Sequence, residues 1–314
     1  MNLKWKVFIL AVLSLVLIGI YMLTNAGGNW DYIMPRRGMK ILAMVITGGT
    51  IAVSTVIFQT ITNNRILTPS ILGLDSLYML IQTSLVFIIG SGSVMIMNRN
   101  VNFMITVAVM VVFSGLLYKL LFKREESNIY FLLLLGLIFG TFFSSISTFM
   151  QVLLDPNEFL RVQDKMFASF NNIHTDLVWI GLIAIALGVI WMLPYLKYLD
   201  VVALGKDQAV NLGVDYDRVV KHLFLIIAVF ISIATALVGP ITFLGLLVAN
   251  VTYEVMKTYR HSYLFAASIF ISIIALVGGQ LLVERVFTFA TTLSVIVNFV
   301  GGVYFLYLLL RERS

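Results

Sequence analysis

The chain has 314 residues, of which 60% are hydrophobic and only 11% are charged, and its formal net charge is +6. Soluble domains carry about 25% charged residues, and a soluble chain this apolar would expose too much apolar surface to stay dissolved. The composition therefore excludes a soluble protein and indicates an integral membrane protein.

Apolar runs long enough for membrane helices recur along the whole chain. They lie at 5–23, 41–60, 76–94, 101–121, 129–153, 177–196, 221–238, 241–256, 263–283 and 289–310. The first run lacks a clear cleavage site after it, which favours a retained helix over a signal peptide. The sequence thus predicts an all-α, polytopic membrane protein of about ten transmembrane helices, with residues 1–314 forming a single membrane domain.

The placement of positive charge predicts the orientation of these helices. With the N-terminus inside, about two thirds of the 21 lysines and arginines fall in inside segments, as cytoplasmic loops require. Both termini are therefore predicted to be cytoplasmic. This topology accounts for the positive net charge, so no nucleic-acid partner is predicted and the surrounding partner is membrane lipid.

Several kinds of chemistry are missing from the sequence. There is no cysteine, and His174, His222 and His261 fall in three different segments, so no metal site is predicted and the histidines are interpreted as interfacial. No phosphate-binding G-x-x-x-x-G-K-[ST] loop and no G-x-S-x-G motif occurs. The missing motifs and the scattered histidines disfavour an intramembrane hydrolase. The chain is therefore predicted not to be an enzyme.

The polar groups of the apolar runs are mostly amides and hydroxyls. Gln59, Ser144, Ser145 and Thr148 suit a wet path, although bonding between helices explains the hydroxyls equally well. An ion-driven transporter is expected to place carboxylates near the midplane, and few acidic residues lie within the runs. An ion-coupled secondary transporter of a small hydrophilic solute is therefore the alternative, and a structural membrane subunit is a further one.

Three connecting segments have unusual compositions. The stretch "FQTITNNRILTPSILGLD" (58–75) is irregular yet apolar, which predicts a re-entry between the second and third helices. Residues 197–221 predict two short cytoplasmic helices broken at Gly205 and Gly213, either docking a soluble partner or simply connecting two spans. Gly239 and Pro240 predict a tight turn that faces outside.

Five segments, in order, resemble the iron-siderophore and cobalamin permeases, the FecCD type of ABC importer, over about residues 35–312. They are "RGMK" (37–40) with "GGTIAVSTVIFQ" (48–59) and "NRILTPSILG" (64–73), "KMFASFN" (165–171), "LGKDQAVNLGV" (204–214), "GPITFLGLLVAN" (239–250) and "NFVGGVYFLYLLLRER" (298–313). Ala249 and Asn250 stand where a Pro-His pair is usual, and Val303 stands where proline is usual. These departures resemble the diverged member of a two-gene permease pair serving catecholate-type, petrobactin-like siderophores.

The resemblance implies a type II ABC importer permease that moves ferric siderophore across a bacterial cell membrane, inner or plasma. It also implies the partners: a second permease subunit, a paralogue rather than an identical copy, two ATPase subunits and an extracellular or periplasmic siderophore-binding protein. No cofactor is expected on this chain, since ATP and Mg²⁺ would bind the partner ATPase.

The resemblance and the charge pattern also suggest roles for individual residues. A cytoplasmic gate is expected at Asn64, Ile66, Leu67 and Pro69, with a well-packed turn as the alternative. Contact with the ATPase is expected within about 198–220, at Gly205, Lys206, Asp207, Ala209, Leu212 and Gly213. Docking of the binding protein is expected at Arg37, Lys40 and Arg285. The path is expected along Gln59, Ser144, Ser145 and Thr148, and a structural turn at Gly239, Pro240 and Gly245.

Overall fold

A computed structural model of the chain describes residues 2–24, 30–90, 98–121, 129–171 and 173–312. Within these ranges the fold is all-α, because a backbone in lipid must satisfy its own hydrogen bonds. The helices are α1 (Leu3–Leu23), α2 (Trp30–Thr62), α3 (Leu74–Ile89), α4 (Arg99–Leu121), α5 (Ile129–Val152), α6 (Pro156–Asp164), α7 (Thr175–Met192), α8 (Leu196–Val202), α9 (Lys206–Asn211), α10 (Tyr216–Val238), α11 (Leu244–Met256), α12 (His261–Arg285) and α13 (Leu293–Glu312).

The prediction of about ten transmembrane helices is confirmed. Among the described residues, seven helices are long and apolar enough to cross a membrane, and three shorter apolar helices accompany them. Two of the shorter ones are α3 and α11, with 16 and 13 residues. At 1.5 Å per residue they span about 24 and 20 Å, less than the roughly 30 Å of a bilayer core. Both begin inside the bundle, after non-helical segments.

The bundle has two ends, named here by the short helices that they carry. The α6 end holds α6, and the α9 end holds α8 and α9, on the opposite side of α7. The sequence predicts that the α9 end is cytoplasmic. Apolar runs did not reveal α6, because it is short and half polar. Its first residue is Pro156. Proline has no N–H, and it is tolerated at this position because the first N–H groups of a helix have no intrahelical acceptor.

The centre of the bundle is α2, which packs against α10, α11 and α12. It is also longer than predicted, because it begins at Trp30 and continues through Pro35. Small residues allow this packing. A Cβ on Gly48 would lie 2.8 Å from Leu276 Cδ1 of α12, and one on Gly245 would overlap the Thr55 side chain of α2.

Candidate translocation path and gate

The segment between α2 and α3, residues 63–73, turns back into the bundle, and we call it the re-entrant segment. The chain leaves α2 at Asn63, with φ at 49°, and forms a 3-10 turn over Pro69–Leu72. Leu67, Thr68 and Pro69 are buried. Gly136, about 10 Å along α5, packs directly on the Ile71 backbone. The segment therefore reaches into the apolar interior, as the sequence predicted.

Two buried amides satisfy the irregular backbone of the re-entrant segment. The Nε2 of Gln59 and the Nδ2 of Asn250 both donate to the carbonyl oxygen of Arg65, at 2.6 and 3.0 Å. The Asn64 side chain accepts from the N–H of Ile66 at 2.9 Å. Unpaired backbone groups are costly at this depth, so these side chains stabilise the segment. We call Gln59 and Asn250 the amide clamp.

The amide clamp changes the interpretation of one predicted path residue. Gln59 is only 3% exposed, and its amide nitrogen is bonded to the Arg65 carbonyl. The structure places the expected gate residues Ile66, Leu67 and Pro69 within the segment that this clamp supports. Asn250 was not among the predicted site residues, although its replacement of the usual histidine was visible in the sequence.

Removing the amide clamp is expected to loosen the re-entrant segment. Replacing Gln59 and Asn250 together with leucine leaves the Arg65 carbonyl unpaired, and such a loss costs about 1–3 kcal/mol. Because the chain has no cysteine, an Ile66→Cys background provides a single thiol. Its maleimide labelling rate is expected to rise about tenfold in the double variant.

The matched control for the amide clamp is Gln82→Leu. The Gln82 amide is also buried, but it bonds Asn102 and Thr106 between α3 and α4. Labelling at Ile66→Cys should stay near the parent rate in this variant. Equal acceleration by Gln82→Leu would mean that general loss of packing, rather than the clamp, controls access.

A second non-helical segment, Gly239 to Phe243, enters the bundle from the α6 end. Gly239 has φ 99° and ψ 174°, a conformation essentially restricted to glycine. Gly239, Pro240 and Ile241 are buried, and the Val238 carbonyl accepts from the N–H of Ser169 at 3.0 Å. The turn is packed under the α6–α7 connection, at the end opposite the predicted cytoplasmic end, so the prediction that it faces outside stays a prediction.

The expected structural turn is also shorter than predicted. Gly245 lies inside the first turn of α11, where it allows the approach to Thr55 of α2. The interruption runs from Gly239 to Phe243 and contains Pro240 but not Gly245. The apolar sequence on both sides of Pro240 concealed this boundary.

The two non-helical segments are linked by a carboxylate at the start of α3. Thr242 Oγ1 donates to Asp75 Oδ2 at 2.9 Å, and the Ser70 side chain also bonds Asp75. The N-terminal ends of α3 and α11 therefore meet inside the bundle. Paired interrupted helices of this kind often mark the transport site of membrane transporters. Asp75 was missed, although a carboxylate between two apolar runs is a recognised signal.

Three of the expected path residues lie together on the surface of α5. Ser144, Ser145 and Thr148 are exposed on one face of the helix, and the Ser144 hydroxyl donates to Ser76 Oγ at 3.0 Å. The flanking Phe149 is 67% exposed. Three hydroxyls on one exposed helix face make this face more polar than lipid favours. We call this face the hydroxyl stripe.

The expected coupling residues form two short helices at the α9 end. Gly205, with φ 98° and ψ 167°, separates α8 from α9, and Gly213 follows α9 with φ 82°. This matches the predicted breaks. Ala209 is buried and anchors α9 to the bundle, whereas Leu212 is 64% exposed. Lys206 pairs with Asp217 at 3.2 Å, and Asp207 is exposed.

A cavity of about 1210 Å³ opens at the α6 end, between the ends of α1, α2 and α12. Two of the expected docking residues stabilise α1 there. Arg37 donates to the carbonyl oxygens of Tyr21, Met22 and Thr24 at 2.8–2.9 Å, and Arg285 donates to that of Thr24 at 2.8 Å. The last carbonyls of a helix lack partners and favour a cation, which explains these bonds.

The third expected docking residue also has internal partners. Lys40 lies 3.4 Å from Glu284 and donates to the Asn171 side chain at 3.1 Å. Arg36, which the sequence argument left out, is exposed at this cavity with its guanidinium 4.5 Å above the Tyr32 ring. Arg36 is therefore better placed than Arg37 or Lys40 to meet a partner at this end.

His174 adds no positive charge to this cavity at neutral pH. Arg99 donates to His174 Nδ1 at 2.6 Å. Partial burial and the Arg99 guanidinium both lower the pKa of His174 from its usual value. A pKa below its usual value keeps the imidazole mainly neutral at pH 7, so the cations that line this cavity are Arg36, Arg37, Arg99 and Lys40.

Comparison with known proteins gives the chain its relatives. The model of the FecCD transport family matches residues 5–311. The petrobactin import system permease protein YclO of Bacillus subtilis (strain 168) is 60% identical over 311 residues, 99% of this chain and 98% of that protein. The petrobactin import system permease protein FatC of Bacillus anthracis is 39% identical over 284 residues, 90% of this chain and 80% of that protein.

A solved structure shares the fold. It is described as an inward-facing conformation of a metal-chelate type ABC transporter, and it matches with a TM-score of 0.85 at 17% identity. The match covers 98% of this chain and 99% of that chain. At this low identity the likeness concerns the arrangement of helices alone.

Proposed function

Because the chain belongs to the FecCD transport family, we propose that it is the membrane-spanning permease subunit of an ABC importer for ferric siderophore. The observation that carries the proposal is the 60% identity with a petrobactin import permease over nearly the full length of both chains. Petrobactin, a catecholate-type siderophore, is accordingly the proposed cargo. We further propose that the chain lies in the bacterial plasma membrane with both termini in the cytoplasm.

The hydroxyl stripe supports a paired permease. Ser144, Ser145 and Thr148 are exposed on α5, and a second subunit beside them would close a wet path. A large hydrophilic chelate suits such a path, because hydroxyls hydrate it without holding it tightly. The second subunit is proposed to be a paralogue, which gives a heterodimer.

The α9 end supports contact with a separate ATPase. Asp207 is exposed beside the apolar side chains of Leu204, Val210 and Leu212, which are 51–64% exposed. Exposed apolar groups with polar neighbours are typical of a protein interface. Two ATPase subunits, which bind ATP and Mg²⁺, would contact the permease pair. One would bind this surface, and the other would bind the corresponding surface of the second permease subunit.

The re-entrant segment is proposed to be the cytoplasmic gate, with Asn64, Ile66, Leu67 and Pro69 closing the path. Movement of α9 would change the position of this segment and alternate access between the two sides. A siderophore-binding protein would deliver the cargo at the α6 end. Arg36 would contact its acidic groups, and exposed charges of this kind make association sensitive to salt.

The decisive experiment is recovery of the tagged chain from native membranes in mild detergent, with mass spectrometry of what accompanies it. An ABC ATPase and a second permease are expected, and vesicles that hold the complex should take up ferric petrobactin only with ATP. Recovery of the intact chain without an ATPase, with uptake driven by an ion gradient, would contradict the proposal. That result would favour the secondary transporter, with Asp75 as its buried carboxylate.

A further inference from the structure

One buried imidazole ties three helices together at the α9 end. His261, the first residue of α12, is 4% exposed. Its Nδ1 lies 2.5 Å from Asp200 Oδ1 of α8, and its backbone N–H donates to the same oxygen at 2.9 Å. Its Nε2 shares a 2.8 Å hydrogen bond with the Thr60 hydroxyl of α2. Both ring nitrogens are therefore used, each toward a different helix.

The connection leads from the coupling helices to the re-entrant segment. Asp200 lies in α8, and Gly205 follows it where α9 begins. Thr60 is next to Gln59, which donates to the Arg65 carbonyl. A second polar link to this part of α2, from the Tyr216 hydroxyl to the Ile61 carbonyl, is longer at 3.4 Å. The imidazole is thus the tighter bridge between the two regions.

Space for movement lies beside this bridge. A cavity of about 540 Å³ is lined by residues of α2, the re-entrant segment, α11 and α12, among them Gln59, Asn64, Arg65, Lys257 and His261. The Gln59 Oε1 is buried there and has no hydrogen-bond partner among the described residues. Displacement of the end of α2 would therefore meet empty volume on this side.

We infer that His261 is a positioning residue that transmits movement of α8 and α9 to the re-entrant segment, through Asp200 on one side and Thr60 on the other. Separating α8 from α2 would leave a buried ring nitrogen unpaired, so the two helices move together. The end of α2 then carries Gln59, and with it the Arg65 carbonyl. This inference rests on the proposed function, since an ATPase must drive α9.

The test measures gate movement directly. The complete complex is purified with Ile66→Cys as the single thiol of this chain, and maleimide labelling of this chain is followed with and without ATP, Mg²⁺ and vanadate. In the parent the nucleotide is expected to change the labelling rate about tenfold, within the usual range of coupling between two sites. In His261→Ala and in Thr60→Val the change is expected to fall below about twofold, while ATP hydrolysis continues.

Two matched controls isolate the contact with His261. Thr60 and Thr62 each donate to a carbonyl of their own helix, at 2.8 and 2.7 Å, so Thr62→Val removes the same local bond and should keep the parent response. Thr60 also bonds the Tyr253 hydroxyl. Tyr253→Phe removes that bond alone and should also keep the response.

The outcomes separate the inference from the proposed function. If the labelling rate of the parent complex does not change when the nucleotide is added, both the gate and the role of His261 are overturned. If the nucleotide changes the labelling rate of the parent, and changes those of Thr60→Val and His261→Ala by the same factor, the role of His261 alone is overturned. If His261→Ala fails to assemble, Thr60→Val decides the matter, because valine preserves the shape of threonine.

Discussion

Replacing Gly136 with alanine is expected to reduce ferric-siderophore uptake by about tenfold or more, the factor that 1.4 kcal/mol produces. A Cβ at this position would overlap the carbonyl oxygen of Ile71 and lie 3.2 Å from Leu72 Cα. These are backbone atoms, so relief requires the re-entrant segment to move away from α5. Overpacking of this kind costs about 1–3 kcal/mol. The measurement is initial uptake rate, normalised to the amount of permease in the membrane.

The chain contains its own control for this prediction. Gly140 lies one turn further along the same face of α5, and a Cβ there would meet Gly73 Cα at an ordinary 3.5 Å. Gly140→Ala should therefore transport at close to the parent rate. Equal uptake by both alanine variants would show that the contact between Gly136 and Ile71 does not limit transport.

Replacing Gly205 with alanine is expected to uncouple ATP hydrolysis from transport. The φ of 98° and ψ of 167° are essentially restricted to glycine, and another residue there costs about 1–3 kcal/mol. Relief of this strain would rotate α9 relative to α8 and shift the surface that Asp207 and Leu212 present. Uptake is expected to fall about tenfold, while the complex stays assembled and hydrolyses ATP.

The matched control for Gly205 is Gly213→Asn. Gly213 has φ 82°, in the left-handed region that asparagine tolerates, and a Cβ added there meets no atom within 4 Å. This variant should keep most of its transport. Loss of the Gly205→Ala chain from the membrane would instead assign Gly205 a folding role, and unchanged uptake would remove its role in coupling.

The large features of the fold follow from local chemistry and were predictable. Apolar length determines which segments can form membrane helices, so the ten apolar helices among the described residues were predicted. Backbone chemistry determines where they stop, so the breaks at Gly205 and Pro240 and the irregular stretch before Gly73 were also found. These signals lie within a few residues of the feature that they produce.

The site was harder to predict, because its contacts join residues that are distant in sequence. Arg37 and Lys40 were expected to dock a binding protein, and the sequence did not indicate that they also bond carbonyls of α1 and the Glu284 carboxylate. Asp75 was overlooked because its partner, Thr242, is 167 residues away in the sequence. His261 resembled an ordinary interfacial residue until its neighbours were known.

By itself, the sequence determined that this is an integral membrane protein, about how many apolar helices it has, and where those helices are interrupted. Hydropathy and backbone freedom are properties of short stretches, so the sequence records them directly. Only the tertiary structure decided what the interruptions do. The Arg65 carbonyl needs donors from two different helices, α2 and α11, and these helices meet only in the folded bundle. A hydrogen bond in an apolar interior requires its donor and acceptor to lie about 3 Å apart. The spacing of residues in the sequence does not contain this distance.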